Sequence, residues 1–353
     1  MARTRFGLLS LALAAALLAV VAAAQGRSTA DIYTVHPLVS DGGTTAPATD
    51  PSLVNGWGLS AGPTTPWWAS NNHTNTSTLY TGAGAKAPLT VAVAGAPTGT
   101  VFNGNAADFV VTQNGKSGAA RFLFATEGGT ILGWSPTVNG TTAIVGATTP
   151  TAIYKGLAIA NDRLYATDFH NGKVDVFDSA FKPMTLASGF KDSKVPKGFA
   201  PFGIQALGGN IFVTYAKQDA KAEDDTPVPG QAYVDEYTPD GALVASVVNS
   251  GKKNAPLNAP WGLAMAPADF SVFGNMLLVG NFGNGRISAY TQRDTKWVYK
   301  GQLRVADGTP IEIEGLWAIA FGNGAAAGPT NTLYFLAGPS DENHGLFGSI
   351  TAG

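Results

Sequence analysis

Leu164-Tyr165-Ala166-Thr167-Asp168-Phe169-His170-Asn171-Gly172-Lys173-Val174-Asp175-Val176-Phe177 aligns without a gap on Leu277-Leu278-Val279-Gly280-Asn281-Phe282-Gly283-Asn284-Gly285-Arg286-Ile287-Ser288-Ala289-Tyr290. Each copy reads as strand, Asn-Gly turn, strand, with apolar residues alternating as a hairpin requires. Looser copies start at Trp67, Phe122, Ile211 and Leu333, the one at Ile211 interrupted by a long insertion. A second element precedes most copies: Gly56-Trp57-Gly58-Leu59, Lys155-Gly156-Leu157-Ala158, Pro201-Phe202-Gly203-Ile204, Pro260-Trp261-Gly262-Leu263 and Leu316-Trp317-Ala318-Ile319. Small residues alternating with apolar ones suit an innermost strand, where blades converge. In the second copy this element is weak, and Asp108-Phe109-Val110-Val111 is taken to fill the place. Six such copies, about 40 to 65 residues apart, predict an all-β, six-bladed β-propeller. Ile32-Tyr33-Thr34-Val35 and Leu346-Phe347-Gly348-Ser349-Ile350 are expected to share one blade, which would remove exposed sheet edges.

Composition narrows the function classes. The chain has 353 residues, 45% hydrophobic and 13% charged, with no Cys and a formal net charge of -2. Disulfide scaffolds and Cys-ligated metal centres are excluded. The basic footprint of a nucleic-acid binder is missing, so no nucleic-acid partner is expected. Arg3 and Arg5, an apolar run over residues 6–21 and Ala22-Ala23-Ala24 before Gln25 have the form of a signal peptide. The reading is therefore a signal peptide at 1–24, then one propeller domain at 25–353 with a polar insertion at about 217–231. The mature chain is expected to be secreted or periplasmic, monomeric and without a stable membrane anchor.

The segments Asn55-Gly56-Trp57-Gly58, Pro97-Thr98-Gly99-Thr100-Val101-Phe102-Asn103-Gly104, 122–134 and Ala259-Pro260-Trp261-Gly262-Leu263-Ala264 resemble an uncharacterised family of exported bacterial proteins. The resemblance spans nearly all of the mature chain. It implies a six-bladed propeller of the kind that includes NHL-repeat, gluconolactonase-like and strictosidine-synthase-like proteins, and it brings no established activity. Some members carry a C-terminal sorting tail. This chain stops at Thr351-Ala352-Gly353 without one, so anchoring by that route is not expected.

In a propeller, the loops between second and third strands share a face with the starts of the innermost strands. On this chain that face collects Asn71, Asn72, His73, Glu127, Asp168, His170, Tyr215, Asn281 and His344, with Asn55, Lys155, Trp261 and Trp317 from the strand starts. Asn71, Glu127, Asp168 and Asn281 offer oxygen ligands for Ca²⁺, yet Asn and Asp at such positions are also ordinary turn formers. Glu127 is harder to assign to a turn. His73, His170 and His344 offer imidazoles for a metal or a general base. Trp57, Trp261 and Trp317 suit either a stacked sugar or blade packing.

Three functions remain open at this stage. The first is a module binding a small molecule or carbohydrate at the channel mouth. The second is a metal-assisted hydrolase or lyase, lactonase-like, with Glu127, Asp168 and His170 as catalytic candidates. The third is a protein-interaction scaffold.

Overall fold

The computed structural model describes residues 32–250 and 256–353. Residues 1–24, expected to be a signal peptide, lie outside the described residues. Within them no helix is long and apolar enough to cross a membrane.

Six antiparallel sheets follow one another around an axis. Their innermost strands are Gly56–Ser60, Pro97–Phe102, Tyr154–Ala160, Phe199–Leu207, Pro260–Met265 and Leu316–Phe321. Each first strand pairs with the second strand of its own blade, and blades III to VI repeat the register shift two residues before the common apolar position, as at Pro260/Leu263. The repeat of small residues has a steric cause. A Cβ on Gly99 would lie 2.4 Å from the Leu157 backbone nitrogen, and one on Gly203 would lie 2.0 Å from the Trp261 carbonyl oxygen. Neighbouring innermost strands approach too closely for a side chain in five of the blades, so the sequence places Gly58, Gly99, Gly156, Gly203 and Gly262 at one level, with the small Ala318 in the sixth.

This corrects the expectation for the second blade. Its innermost strand is Pro97–Phe102, carrying Gly99, while Val110–Gln113 belongs to a separate two-stranded hairpin with Lys116–Ala119. The hairpin extends the connection to the next strand, and it hid the repeat because it inserts residues between elements that are contiguous elsewhere.

The ring closes as expected. Tyr33–Ser40 runs antiparallel to Leu346–Ala352, with Tyr33 opposite Ala352 and Ser40 opposite Leu346. The first strand of the described residues thus completes the sixth blade, and Ala48–Thr49 pairs with its last two residues, Val39 and Ser40. Joining the two ends gives both terminal strands a partner and so removes the open edge at the seam between them.

Candidate functional site

One repeated hydrogen bond builds the mouth. The residue after each second strand donates its N–H to the carbonyl just before the innermost strand: Asn72 to Asn55, Glu127 to Ala96, Phe169 to Ile153, Phe282 to Ala259 and Gly338 to Gly315, all within 3.1 Å. Two residues beyond those carbonyls stand Trp57, Thr98, Lys155, Trp261 and Trp317, with Phe202 at the matching place in the fourth blade. Apart from Gly338 and from Thr98, which bonds the Ala125 and Tyr154 carbonyls, these residues meet at the mouth through the contacts that follow.

One half of the mouth is apolar. Trp317 is stacked between Trp57, at 3.6 Å between ring centroids, and Phe282, at 4.0 Å. Trp261 stands edge-on to both indoles, and Phe202 is edge-on to Trp317 and packed on Phe169. The indole faces are thus largely spent on one another, forming a floor that closes the channel. Below it, innermost strands enclose only ≈ 40 Å³ of free space.

The other half is charged. Lys155 is wholly buried, and its ammonium donates to Glu127 Oε1 at 2.5 Å and to Asp224 Oδ1 at 2.6 Å. It also lies 4.9 Å over the Trp57 ring. Glu127 Oε2 accepts from Asn72 Nδ2 at 2.9 Å. Asn55 Nδ2 donates to Glu342 Oε2 at 2.6 Å, its Oδ1 accepts from the Trp317 indole, and His73 Nε2 lies 3.4 Å away. Asp225 stands within electrostatic reach of Lys155, and its Oδ2 has no hydrogen-bond partner among the described residues.

Electrostatics follow from this crowding. Burial pushes the Asp225 carboxyl up to about 7, more than Lys155 pulls it down. Burial also raises Glu342, with Asp224 and Glu127 adding repulsion. Desolvation works against the Lys155 ammonium, but Glu127 and Asp224 outweigh it and hold the amine charged, above the ordinary lysine range.

Two local devices deliver the acidic groups. The insertion after Asn210–Lys217 folds over the mouth: Gln218 Nε2 donates to the Phe169 carbonyl at 2.6 Å, the His170 ring meets the Ala222 carbonyl, and Asp224 reaches Lys155. In the sixth blade Ser340, Asp341 and Glu342 are successive non-glycine residues with φ of 58°, 52° and 65°. A left-handed turn of L-residues costs roughly 1–2 kcal/mol per residue, and such strain gathers at functional sites. Here it presents the Glu342 carboxylate to Asn55.

The sequence candidates divide by position. Asn55, Asn72, His73, Glu127, Lys155, Trp261 and Trp317 come together at the mouth. Asn71, Asp168 and Asn281 occupy one equivalent place, and each is turned into its own hairpin. Asn71 Nδ2 donates to Thr76 and Thr78, Asp168 accepts from both nitrogens of Asn171, and Asn281 bonds Asn258 and Arg286. Tyr215 hydrogen-bonds Tyr237 within the fourth blade. His170 holds the insertion, and His344 pairs with Asp41 at 2.8 Å.

A Ca²⁺ site made of Asn71, Glu127, Asp168 and Asn281 therefore does not fit: the oxygens of Asp168 and Asn281 accept from N–H groups of their own blades, Asn71 is tied into its hairpin through Nδ2, and Glu127 is held by Lys155 and Asn72. Among the described residues no three His, Asp or Glu side chains are arranged to hold a metal ion. Lys155 supplies the positive charge that the acidic mouth needs. Asp224, Asp225 and Glu342 were absent from the sequence candidates. The acidic pair in the polar insertion was visible, but nothing in its spacing tied it to Lys155, 69 residues earlier. Glu342 sits in the second-to-third-strand loop of the sixth copy, where the repeat could have flagged it.

No protein-family profile matches the chain. Two uncharacterised proteins of Acanthamoeba polyphaga mimivirus are each 29% identical over 340 residues, covering 90% and 92% of this chain and 85% and 81% of theirs. Among solved structures, the soluble aldose sugar dehydrogenase of Escherichia coli superimposes with a TM-score of 0.53 at 14% identity, over 91% of this chain and 100% of that one. A streptogramin B lyase does so with a TM-score of 0.50 at 10% identity, over 91% and 97%. These similarities define the class: a six-bladed propeller of the architecture used by such enzymes.

Proposed function

We propose that this propeller is a hydrolase or lyase acting on a small polar molecule at the channel mouth, by acid–base chemistry of its own side chains. One observation carries the reading. A carboxyl held near pKa 7, Asp225, shares a partly desolvated cluster with an ammonium held charged, Lys155. A general acid–base works best with a pKa near the operating pH, and a cation held charged beside it is placed to stabilise negative charge that develops during the reaction. The architecture shared with a lyase and a sugar dehydrogenase supports an enzyme over a purely structural propeller.

For a lactone or ester the roles balance. Asp225 as carboxylate takes a proton from water while the water oxygen bonds to the carbonyl carbon. The acyl C–O bond then breaks, and the proton passes from Asp225 to the departing oxygen. The Lys155 ammonium faces the negative charge that develops on the carbonyl oxygen, the use to which a fixed charge in a dry site is best put. Glu127, Asn72, Asn55 and Glu342 orient the polar side of the substrate, and the aromatic floor receives its apolar side. Lys155 is covered by Asp224, and Asp225 belongs to the same insertion, so the insertion opens to admit substrate and closes again to return Asp225 to the mouth before chemistry.

The test is turnover of a panel of lactones and esters by the purified chain, followed by proton release. Asp225→Asn should lose activity while retaining substrate binding. Saturable binding without turnover by the wild type would reassign the mouth to a binding module. Full activity in Asp225→Asn would remove the proposed acid–base group.

A further inference from the structure

On the face opposite the mouth, between the first two blades, an aromatic cleft of ≈ 550 Å³ opens. That volume falls within the usual range for small-molecule sites. Trp68 stacks on Phe122 at 4.0 Å and meets Trp134 at 4.7 Å, and Phe102 packs on Phe122 at 5.3 Å. One rim is the connection at residues 63–66. It is fixed by Thr65 Oγ1, which accepts from the Gly62 N–H, and by Asn323 Nδ2, which donates to the carbonyls of Gly62 and Thr65. Both the walls and the rim are therefore set before any ligand arrives.

The cleft holds one charge. Arg121 lines it with its guanidinium 5.0 Å over the Phe102 ring. Among the described residues Arg163 pairs with Asp240 and Arg286 with Glu312, whereas Arg121 has no carboxylate partner. A guanidinium carries five donors in a plane suited to a carboxylate, and a ring beneath it fixes that plane. We propose that this cleft is a second ligand site, separate from the mouth, for a flat aromatic carboxylate. The aromatic body lies among Trp68, Phe122 and Trp134, and the carboxylate pairs with Arg121.

The probe is 2-naphthoate, with 2-naphthylmethanol as its neutral counterpart, titrated by calorimetry and by quenching of tryptophan fluorescence. The wild type should bind the acid about tenfold more tightly than the alcohol, as a charge-assisted hydrogen bond implies. Arg121→Gln should bring the acid down to the alcohol. Gly104→Leu, placing a side chain at the cleft edge, should weaken both ligands. Asp225→Asn, altered only at the mouth, should bind both as the wild type does. Absence of saturable binding to the wild type overturns the proposal. Equal affinity for acid and alcohol, or undiminished acid binding in Arg121→Gln, also overturns it, and loss of binding in Asp225→Asn would move the site to the mouth.

Discussion

Replacing Lys155 by Met tests the electrostatic architecture of the mouth most directly. The substitution keeps most of the stem that packs near Trp57 and removes the charge. Two ion pairs vanish, and they are unequal. Asp224 keeps 67% of its side-chain exposure and rehydrates when released, so that pair is worth about 0–1 kcal/mol. Glu127 keeps only 28% and is left beside other carboxyls. Removing one partner of a buried pair costs about 3–5 kcal/mol, and partial exposure of Glu127 places this case at the low end. The lost contact between ammonium and indole adds about 0.5–1 kcal/mol. We therefore expect Lys155→Met to destabilise by about 3.5–5 kcal/mol, a fall in Tm of roughly 5–10 °C. Urea unfolding of the wild type, Lys155→Met, Glu127→Gln and the double variant gives the coupling. Glu127→Gln should recover part of the loss, since contacting charges couple by about 0.5–3 kcal/mol. With the internal cation gone, millimolar Ca²⁺ should raise the Tm of Lys155→Met and leave the wild type unchanged. A Lys155→Met protein as stable as the wild type, or one that Glu127→Gln destabilises further, would refute the view that Lys155 neutralises the acidic mouth.

Three further outcomes follow from the geometry. Between the ordinary aspartate value and about 7 the folded chain holds more protons at Asp225 than the unfolded chain does, so this residue makes stability fall as pH rises through about 4 to 7. Asp235, also raised to about 7 by burial, adds a second contribution. Asp225→Asn should flatten part of the slope in a Tm-against-pH series, and adding Asp235→Asn should flatten more. Asp168→Asn should alter stability by no more than about 1 kcal/mol and leave activity at the mouth intact, because Asn281 closes the equivalent hairpin with an amide. A selective loss of activity would show that Asp168 does more than close its turn. Gly203→Ala should cost at least about 1–3 kcal/mol in urea unfolding, since its Cβ would lie 2.0 Å from the Trp261 carbonyl oxygen and only backbone movement relieves that. Near-normal stability would mean that the inner ring is looser than its spacing indicates.

The propeller, its six blades and its closure were legible in the sequence because they rest on local periodicity. Strand alternation and the small residue at the inner ring are short-range constraints that recur from blade to blade, and the Asn-Gly turn marks two of the copies, so each copy reports on the others. The same repetition separates Glu127 from Asp168. Both lie at the ends of second strands, but Asp168 shares its place with Asn71 and Asn281, which all close hairpins, whereas Glu127 stands one position later, level with Asn72 and Phe169, above the axis. One residue of register therefore decides whether a polar side chain closes a turn or enters the mouth. Only the second blade, lengthened by its extra hairpin, concealed its inner strand.

Tertiary structure alone decided which charges meet. Lys155, Asp224 and Glu342 come from blades three, four and six, and no spacing along the chain encodes their approach. Ring closure brings distant loops to one axis, and a charge buried there must find compensation from whichever loops arrive. The indoles show the same division. Their recurrence at the strand starts was plain in the sequence, but the first and sixth blades had to meet before Trp57 and Trp317 could stack, which turned ligand-stacking faces into a floor.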